Sequence, residues 1–367
     1  MPTVLIASDE RDDIPNWVEG YRACGWEVVT GTHNFKLRAA KFDLVHHQWP
    51  EELSGWRVPG AAQLAEINAL LAWWQSRTKC VFTVNNLYPH GFQGNPACRD
   101  LYSAVIRRCH LITHYTEASR RLLCEEYPEA RGARHLVHSP FSYERLLPLQ
   151  RARGSRRSEL GIPEKDFVVL VFGALRSWEE IRLIRSGFDR ARIPHKRLLM
   201  AGKCNISGIG RTRWQRRWRQ FIWEQWLRRR KAIVRTEYIP EDELFRFFDS
   251  SDTVLVPRIR SLNSALPAIG MTFGRAIIAP SHGSYPDVLA GTGNLLYESG
   301  DADSLARALE RMAALDSGAI GRSNAQLAAG WTWKQLVQSC LSAADGIRLA
   351  DKPVPLPVES RQSDTQP

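Results

Sequence analysis

The chain has 367 residues, 44% of them hydrophobic, more than a single core usually organises, so two domains of ordinary size are expected. No stretch of about 18 uncharged apolar residues occurs, and the opening MPTVLIASDERDD passes at once from a short apolar run into acidic residues; both exclude a membrane span and a secretion signal. Seven scattered cysteines (Cys24, Cys80, Cys98, Cys109, Cys124, Cys204, Cys340), never in a CxxC pair, point to a reducing, cytoplasmic setting and away from a structural zinc.

A net charge of +11 implies an acidic partner: nucleic acid, anionic lipid or a phosphorylated substrate. Its distribution is uneven. Between Arg211 and Arg235 stand ten Arg or Lys against one acid, Glu224, while the rest of the chain is close to balanced.

In chain order, PTVLIAS reads as a buried strand, 17–23 as a helix, WEVVTG and FDLVHHQ as strands, 61–76 as a helix and KCVFTVNN as a strand. A helix over 99–108 and the strand HLITHYT follow. Strands alternating with helices of this length mean βαβ units and a parallel sheet. The stretch QRARGSRRSELGIPEKD lacks an apolar period and reads as a link, about 151–165, after a first domain over 1–150. The pattern then restarts with FVVLVFGAL, a helix over 179–191, KRLLMAGK, the basic stretch, IVRTEYI, a helix over 241–248, TVLVPR, a helix from about Ser264 to Phe273, and AIIAP. Helices over 302–312 and 333–345 complete a second domain, 166–347, and the Pro-rich polar tail 348–367 reads as disordered.

In open parallel sheets ligands sit beyond the carboxyl ends of the strands, so the loops after each strand are where chemistry is sought. In the second half, the strand TVLVPR, a polar loop and a helix opened by Asn263 and Ser264 suit a diphosphate, because a helix start offers free N–H groups; an ordinary N-cap is the other reading. In the first half, His46 and Glu51 flank the Trp-Pro pair at one strand end and His90 closes NNLYPH at the next, so all three are candidate bases, against the plain reading of buried, satisfied side chains. Asp9 and Asn16, after the first strand, are acceptor contacts or simple caps, and Thr116, Glu117 and Ser119 suit a helix start. The segment RTRWQRRWRQFIWEQWLRRRK sets Trp214, Trp218, Phe221, Ile222 and Trp226 at helical spacing among arginines. Either it lies on an anionic membrane surface or its tryptophans are buried on the domain; nucleic-acid binding is a third reading.

Several stretches together, FDLVHHQWPEEL, VFTVNNLYPHG, FGALRSWEEI, AGK, YIPEDELFRFFDSSDTVLVPR and LNSALPAIGMTFGRAIIAP, resemble the GT-B glycosyltransferases, in particular the group 1 and exopolysaccharide (xanthan-type) enzymes of bacteria, and they recur in family order over roughly 3–345. The resemblance implies two facing Rossmann-like domains with parallel sheets, an N-terminal acceptor domain and a C-terminal donor domain. It also implies a last helix that packs back on the first domain, with Trp331 and Trp333 in the core. It places Arg176 on the donor diphosphate, against the plain reading of a surface salt bridge, and Tyr238 at the nucleobase, against an ordinary strand end; beside it, Lys203 in the loop after the next strand is a further candidate cation or a solvated lysine, Asn263 and Ser264 are candidates for the phosphates, and Tyr285 and Asp287 after AIIAP for the sugar or phosphates. The chain departs from the family at Glu179, where a lysine is usual, at Ser261 and Ile269, where many relatives have glutamates, and at Asn85, where a histidine is usual. An Asn-Ser loop is similar to the inverting, xanthan-type branch.

The implied activity is a hexosyltransferase that needs neither metal nor cofactor beyond its donor. It would move a sugar from a nucleoside diphosphate to a saccharide, lipid-linked acceptor on the inner face of the membrane, in surface or exopolysaccharide synthesis. A catalytically inactive, transferase-like membrane scaffold is the rival reading, and a basic nucleic-acid-binding protein the second.

Overall fold

The computed structural model describes residues 1–10, 13–89, 92–138, 140–143, 153–202, 212–237 and 239–347. The chain divides into two compact units: Met1–His138 together with the chain from Trp333 onward, and Ser139–Thr332.

In the first unit the described strands are β1 (Thr3–Ile6), β2 (Glu27–Thr30), β3 (Leu44–His47), β4 (Lys79–Thr83), β5 (Leu111–His114) and β6 (Arg134–Val137), all parallel in the order β2-β1-β3-β4-β5-β6. A parallel sheet is covered on both faces, so its central strands must be apolar throughout; Val4, Leu5, Ile6, Val45, Val81, Phe82, Leu111 and Ile112 are fully buried. Thr116 caps the helix Glu117–Glu126 by accepting from the Ser119 N–H at 3.1 Å, as its residue types suggest. The helix Trp333–Asp345 belongs to this unit and packs on the helix Ile14–Ala23. A methyl group at Gly20 would come within 2.9 Å of the Trp333 carbonyl oxygen and 2.8 Å of Val337, so only glycine permits this approach. The Trp17 and Trp333 rings meet edge-on at 5.4 Å in the resulting core.

The second unit is again a six-stranded parallel sheet, but its reversal comes one strand later: β7 (Phe167–Phe172), β8 (Lys196–Ala201), β9 (Ile233–Arg235), β10 (Thr253–Leu255), β11 (Ala276–Pro280) and β12 (Leu295–Tyr297) lie in the order β12-β11-β10-β7-β8-β9. Helices Trp178–Arg190 and Ala302–Ala314 cover one face, with Gly187 pressed under Leu305. The stretch expected to be a bare link carries a helix, Arg153–Glu159, and its lack of an apolar period has a polar cause. Arg157, 1% exposed, donates to Asp252 at 2.7 Å and to the Glu164 and Asp166 carbonyls at 2.9 and 3.0 Å, so a guanidinium does the anchoring that a leucine would do elsewhere.

Each sheet reverses its strand order once, between β1 and β3 in the first unit and between β7 and β10 in the second. Such reversals open a crevice beyond the carboxyl ends of the two strands, the usual ligand position of doubly wound sheets.

Candidate functional site

At the second reversal the loop after β7 runs Gly173, Ala174, Leu175, Arg176, Ser177 into the helix Trp178–Arg190, which Ser177 caps by accepting from the Glu180 N–H at 3.2 Å. Gly173 and Gly202 both have positive φ, 85° and 103°, and a methyl group at Gly202 would lie 3.1 Å from the Gly173 backbone. The close passage of the two loops favours glycine at 202, and the left-handed φ favours glycine at both positions.

Glu180 is buried, and one of its oxygens accepts the backbone N–H of Arg176 at 2.7 Å. The same carboxylate pairs at 3.1 Å with Arg258, itself buried, which follows β10. Arg258 also donates to the Ala174 carbonyl at 3.0 Å. A buried ion pair thus clasps the loop from beneath. Arg176 at its tip is exposed, although the loop walls, and after them the Arg258 charge, pull its pKa below the usual arginine range while Glu180 and Tyr285 oppose the shift.

Beside this loop Tyr285, 1% exposed, shares a 2.6 Å hydrogen bond with Ser261. Burial raises the phenol pKa, against the opposing effects of Ser261, Arg258, Arg176 and Ser264, so the hydroxyl stays neutral near pH 7. The Ser261 N–H donates to His282 at 3.3 Å. Gly283, at φ 60°, allows the two loops to touch, since a methyl group there would fall 2.6 Å from the Ser261 carbonyl. One cation with spare hydrogen-bonding capacity, a second cation beneath it and a neutral hydroxyl pair suit an anion with several oxygens.

The remaining donor candidates are placed less uniformly. Ser264 accepts from the Leu266 N–H at 3.3 Å, and the helix begins at Leu266, later than expected, with Pro267 in its first turn. Its opening turn therefore lacks one N–H at Pro267 and has another taken by Ser264, which removes much of the reason for assigning phosphate binding to this helix start. Asn263 is half-buried in the same loop, and Asp287 is exposed in the first turn of Tyr285–Leu289. Lys203 and Tyr238 lie outside the described residues. A depression of about 530 Å³ lined by Arg157, Lys165, Asp166 and Glu310 lies at the opposite, amino end of β7 and carries both signs of charge.

The first unit corrects two of the three candidate bases. His46 ends β3 but is fully buried, with Nδ1 2.9 Å from the Tyr21 hydroxyl and Nε2 at 2.7 Å from Thr83 and 2.9 Å from the Gln48 amide. Gln48 in turn accepts from the Asn85 amide at 3.1 Å. This chain makes Nε2 of His46 an acceptor and leaves its proton on Nδ1. Burial, then the fields of His47 and His138, push the His46 pKa down to about 3. It is a core histidine whose two nitrogens are already committed. Glu51 is 2% exposed; one oxygen accepts from Tyr102 at 2.7 Å, and burial raises its pKa against the opposing hydrogen bonds of its own backbone and Tyr102. Neither side chain reaches an acceptor, because helices Ile14–Ala23 and Pro96–Arg108 close over them. His90 lies outside the described residues.

Asp9 is exposed after β1 and accepts the Thr32 N–H at 3.3 Å, while Asn16, 1% exposed in the first turn of Ile14–Ala23, is too deep for a direct acceptor contact. Among the described residues no cluster of His, Cys, Asp and Glu could hold a metal ion, and no helix is long and apolar enough to cross a membrane.

No family model matches the chain, and no curated protein matches it. Solved structures do. The chain is similar to sucrose-phosphate synthase from Thermosynechococcus elongatus (17% identity, TM-score 0.70, 94% of this chain and 100% of that one). It is similar to Anabaena HepE in complex with UDP-glucose (12%, 0.68, 94% and 100%), and to the trehalose-6-phosphate structure from E. coli bound with UDP-2-fluoro glucose (10%, 0.65, 95% and 100%).

The fold is GT-B.

Within this GT-B chain the sequence reading had not singled out Glu180 or Arg258. The signal available for Arg258 was its position directly after TVLVP, a strand end equivalent to that of FVVLVF; its neighbour across the sheet, β7, is far away in sequence. Ser261 stands in the sequence reading only as a departure, and the structure bonds it to Tyr285 beside the Arg176 loop.

Proposed function

We propose that the chain transfers a hexose or uronic acid from a nucleoside diphosphate sugar to a saccharide hydroxyl. The observation that carries this reading is Arg176, presented at the strand-order reversal of the second unit by the Glu180–Arg258 pair. The solved structures it resembles include complexes with UDP and with UDP-glucose, which makes a uridine nucleotide the first donor to test.

In the proposed step the acceptor oxygen forms a bond to the anomeric carbon as the bond to the diphosphate oxygen breaks, and the negative charge gathers on the leaving diphosphate. A guanidinium bonding two phosphate oxygens stabilises that charge most when it is fully developed. Arg176 takes this role, with Tyr285, Ser261, Ser264 and Asn263 around the phosphates or sugar, and no metal is invoked. With His46 and Glu51 withdrawn, His90 after β4 is retained as the proposed base. We further infer a lipid-linked acceptor and a place on the inner face of a membrane, in polysaccharide synthesis.

The test is a thermal-shift and calorimetric titration with a panel of nucleoside diphosphates and their sugars, for the wild type and Arg176→Ala. Selective stabilisation by one nucleotide, lost in the variant, is expected; no response to any nucleotide overturns the reading. The burial of His46 and Glu51 favours a second reading, a transferase-like scaffold without catalysis, and binding without any turnover on a panel of saccharide acceptors would select it.

A further inference from the structure

The helix Arg213–Arg229 has two aromatic faces with different fates. Trp223, Trp226 and Leu227 are buried in the second unit's core; the Trp226 indole N–H donates to Asp189 at 3.0 Å, and the Trp223 and Trp226 rings stack at 5.2 Å. That face fixes the helix against its unit, so the opposite face points outward. There Trp214, Trp218 and Phe221 are 71%, 51% and 52% exposed, one per turn, stacked on each other at 6.1 and 6.0 Å. Three large rings in a row on an exposed surface mark an interaction site, since isolated apolar side chains are common there and contiguous ones are not.

Cations surround the stripe. Arg213, Arg216, Arg217, Arg228 and Arg229 are exposed, whereas Arg219 leans over the Trp178 ring and Arg230 pairs with Asp189. The single acid of the helix, Glu224, accepts from Gln220 at 2.6 Å.

We propose that this face binds the surface of an anionic lipid bilayer, with Trp214, Trp218 and Phe221 at the headgroup boundary and the flanking arginines on lipid phosphates. Aromatic rings prefer that boundary, where apolar area is covered while polar edges stay wet. Arginines beside it gain from the negative surface, each by roughly fivefold in partition. A nucleic acid could also stack on exposed rings, but the two sheets here are doubly wound parallel sheets and not an oligonucleotide-binding barrel or platform. The helix lies on the bilayer rather than across it, because it is too cationic to span.

The experiment is co-sedimentation of the full chain with vesicles of phosphatidylcholine, alone or mixed with phosphatidylglycerol, for the wild type, a Trp214→Ser/Trp218→Ser/Phe221→Ser variant, and an Arg213→Gln/Arg217→Gln/Arg228→Gln variant. All substituted side chains are exposed, and an unchanged melting temperature confirms folding. Expected are binding to mixed vesicles only, weakening as salt rises, a fall of more than tenfold for the aromatic variant, and a comparable fall for the arginine variant. Failure of the wild type to bind mixed vesicles, or equal binding by the aromatic variant, overturns the proposal. So does tighter binding to a single-stranded oligonucleotide than to the mixed vesicles, or a dimer in solution that the aromatic substitutions dissociate.

Discussion

Each sheet reverses its strand order once, between β1 and β3 in the first unit and between β7 and β10 in the second, and the ends of the strands at the two reversals are chemically opposite. In the first unit β3 ends in a closed, neutral network of His46, Tyr21, Thr83, Gln48 and Asn85. In the second, a buried ion pair holds a loop whose arginine faces outward. A parallel sheet with one reversal therefore supplies a crevice twice, and the residue types at the strand ends decide whether it is packed shut or left with unspent charge.

The comparison is broken most severely by Glu180→Ala, which leaves Arg258 buried without its counter-charge. Removing one partner of a buried pair costs about 3–5 kcal/mol, so urea denaturation should show a loss of that order, and the Arg176 loop should lose its protease resistance at the same time. A loss below about 1 kcal/mol would mean that water replaces the carboxylate. Next comes acid. His46 is neutral in the fold, with its pKa lowered from the unfolded value to about 3, so its contribution is complete above pH 6.5 and is lost progressively as the pH falls from 6.5 towards 3. At pH 5 this amounts to about 2 kcal/mol. His47 and His114, lowered by burial to about 4 and about 2, add losses of the same sign, so stability measured from pH 7.5 to pH 5 should fall by more than this in the wild type and by about 2 kcal/mol less in His46→Leu; parallel curves would show that His46 does not contribute. Smaller still is Ser261→Ala, which removes one hydrogen bond from Tyr285 and should cost about 1 kcal/mol while weakening nucleotide binding. Arg176→Ala should be nearly silent in stability, within about 0.5 kcal/mol, and decisive in nucleotide binding. That separation of stability from binding is the sharpest contrast between Arg176 and the pair beneath it.

Much of the architecture was readable from alternation alone, because β-branched runs such as VLIA, FVVLVF and AIIAP are what a doubly covered parallel sheet demands. Arg176 came from the family resemblance and not from local pattern; the structure puts it, exposed, in the loop after β7. What was hidden depends on distance along the chain. That His46 is sealed in follows from Trp17 and Tyr21, carried on a helix that neither the strand nor its loop announces. That Arg258 stands beside Glu180 follows from β10 lying next to β7, a sheet order no local pattern encodes. The helix Arg153–Glu159 escaped notice because hydrophobic periodicity is blind to an arginine seated on carbonyls. The basic segment was balanced between burial and exposure, and the structure divides it: one aromatic face is taken by the core and the other is left outside.

The return of the helix Trp333–Asp345 to the first unit sets an order of assembly during synthesis. The strands and helices up to His138 leave the ribosome without the element that covers Gly20 and Trp17, and they must wait for all of 139–332 to be made, roughly 10–40 s at ~5–20 residues per second. The second unit has its whole chain by then and can fold while the first is still incomplete. The unit whose strands are made before those of the other is the one that finishes folding last, and its unfinished apolar face is what a chaperone would meet on the nascent chain.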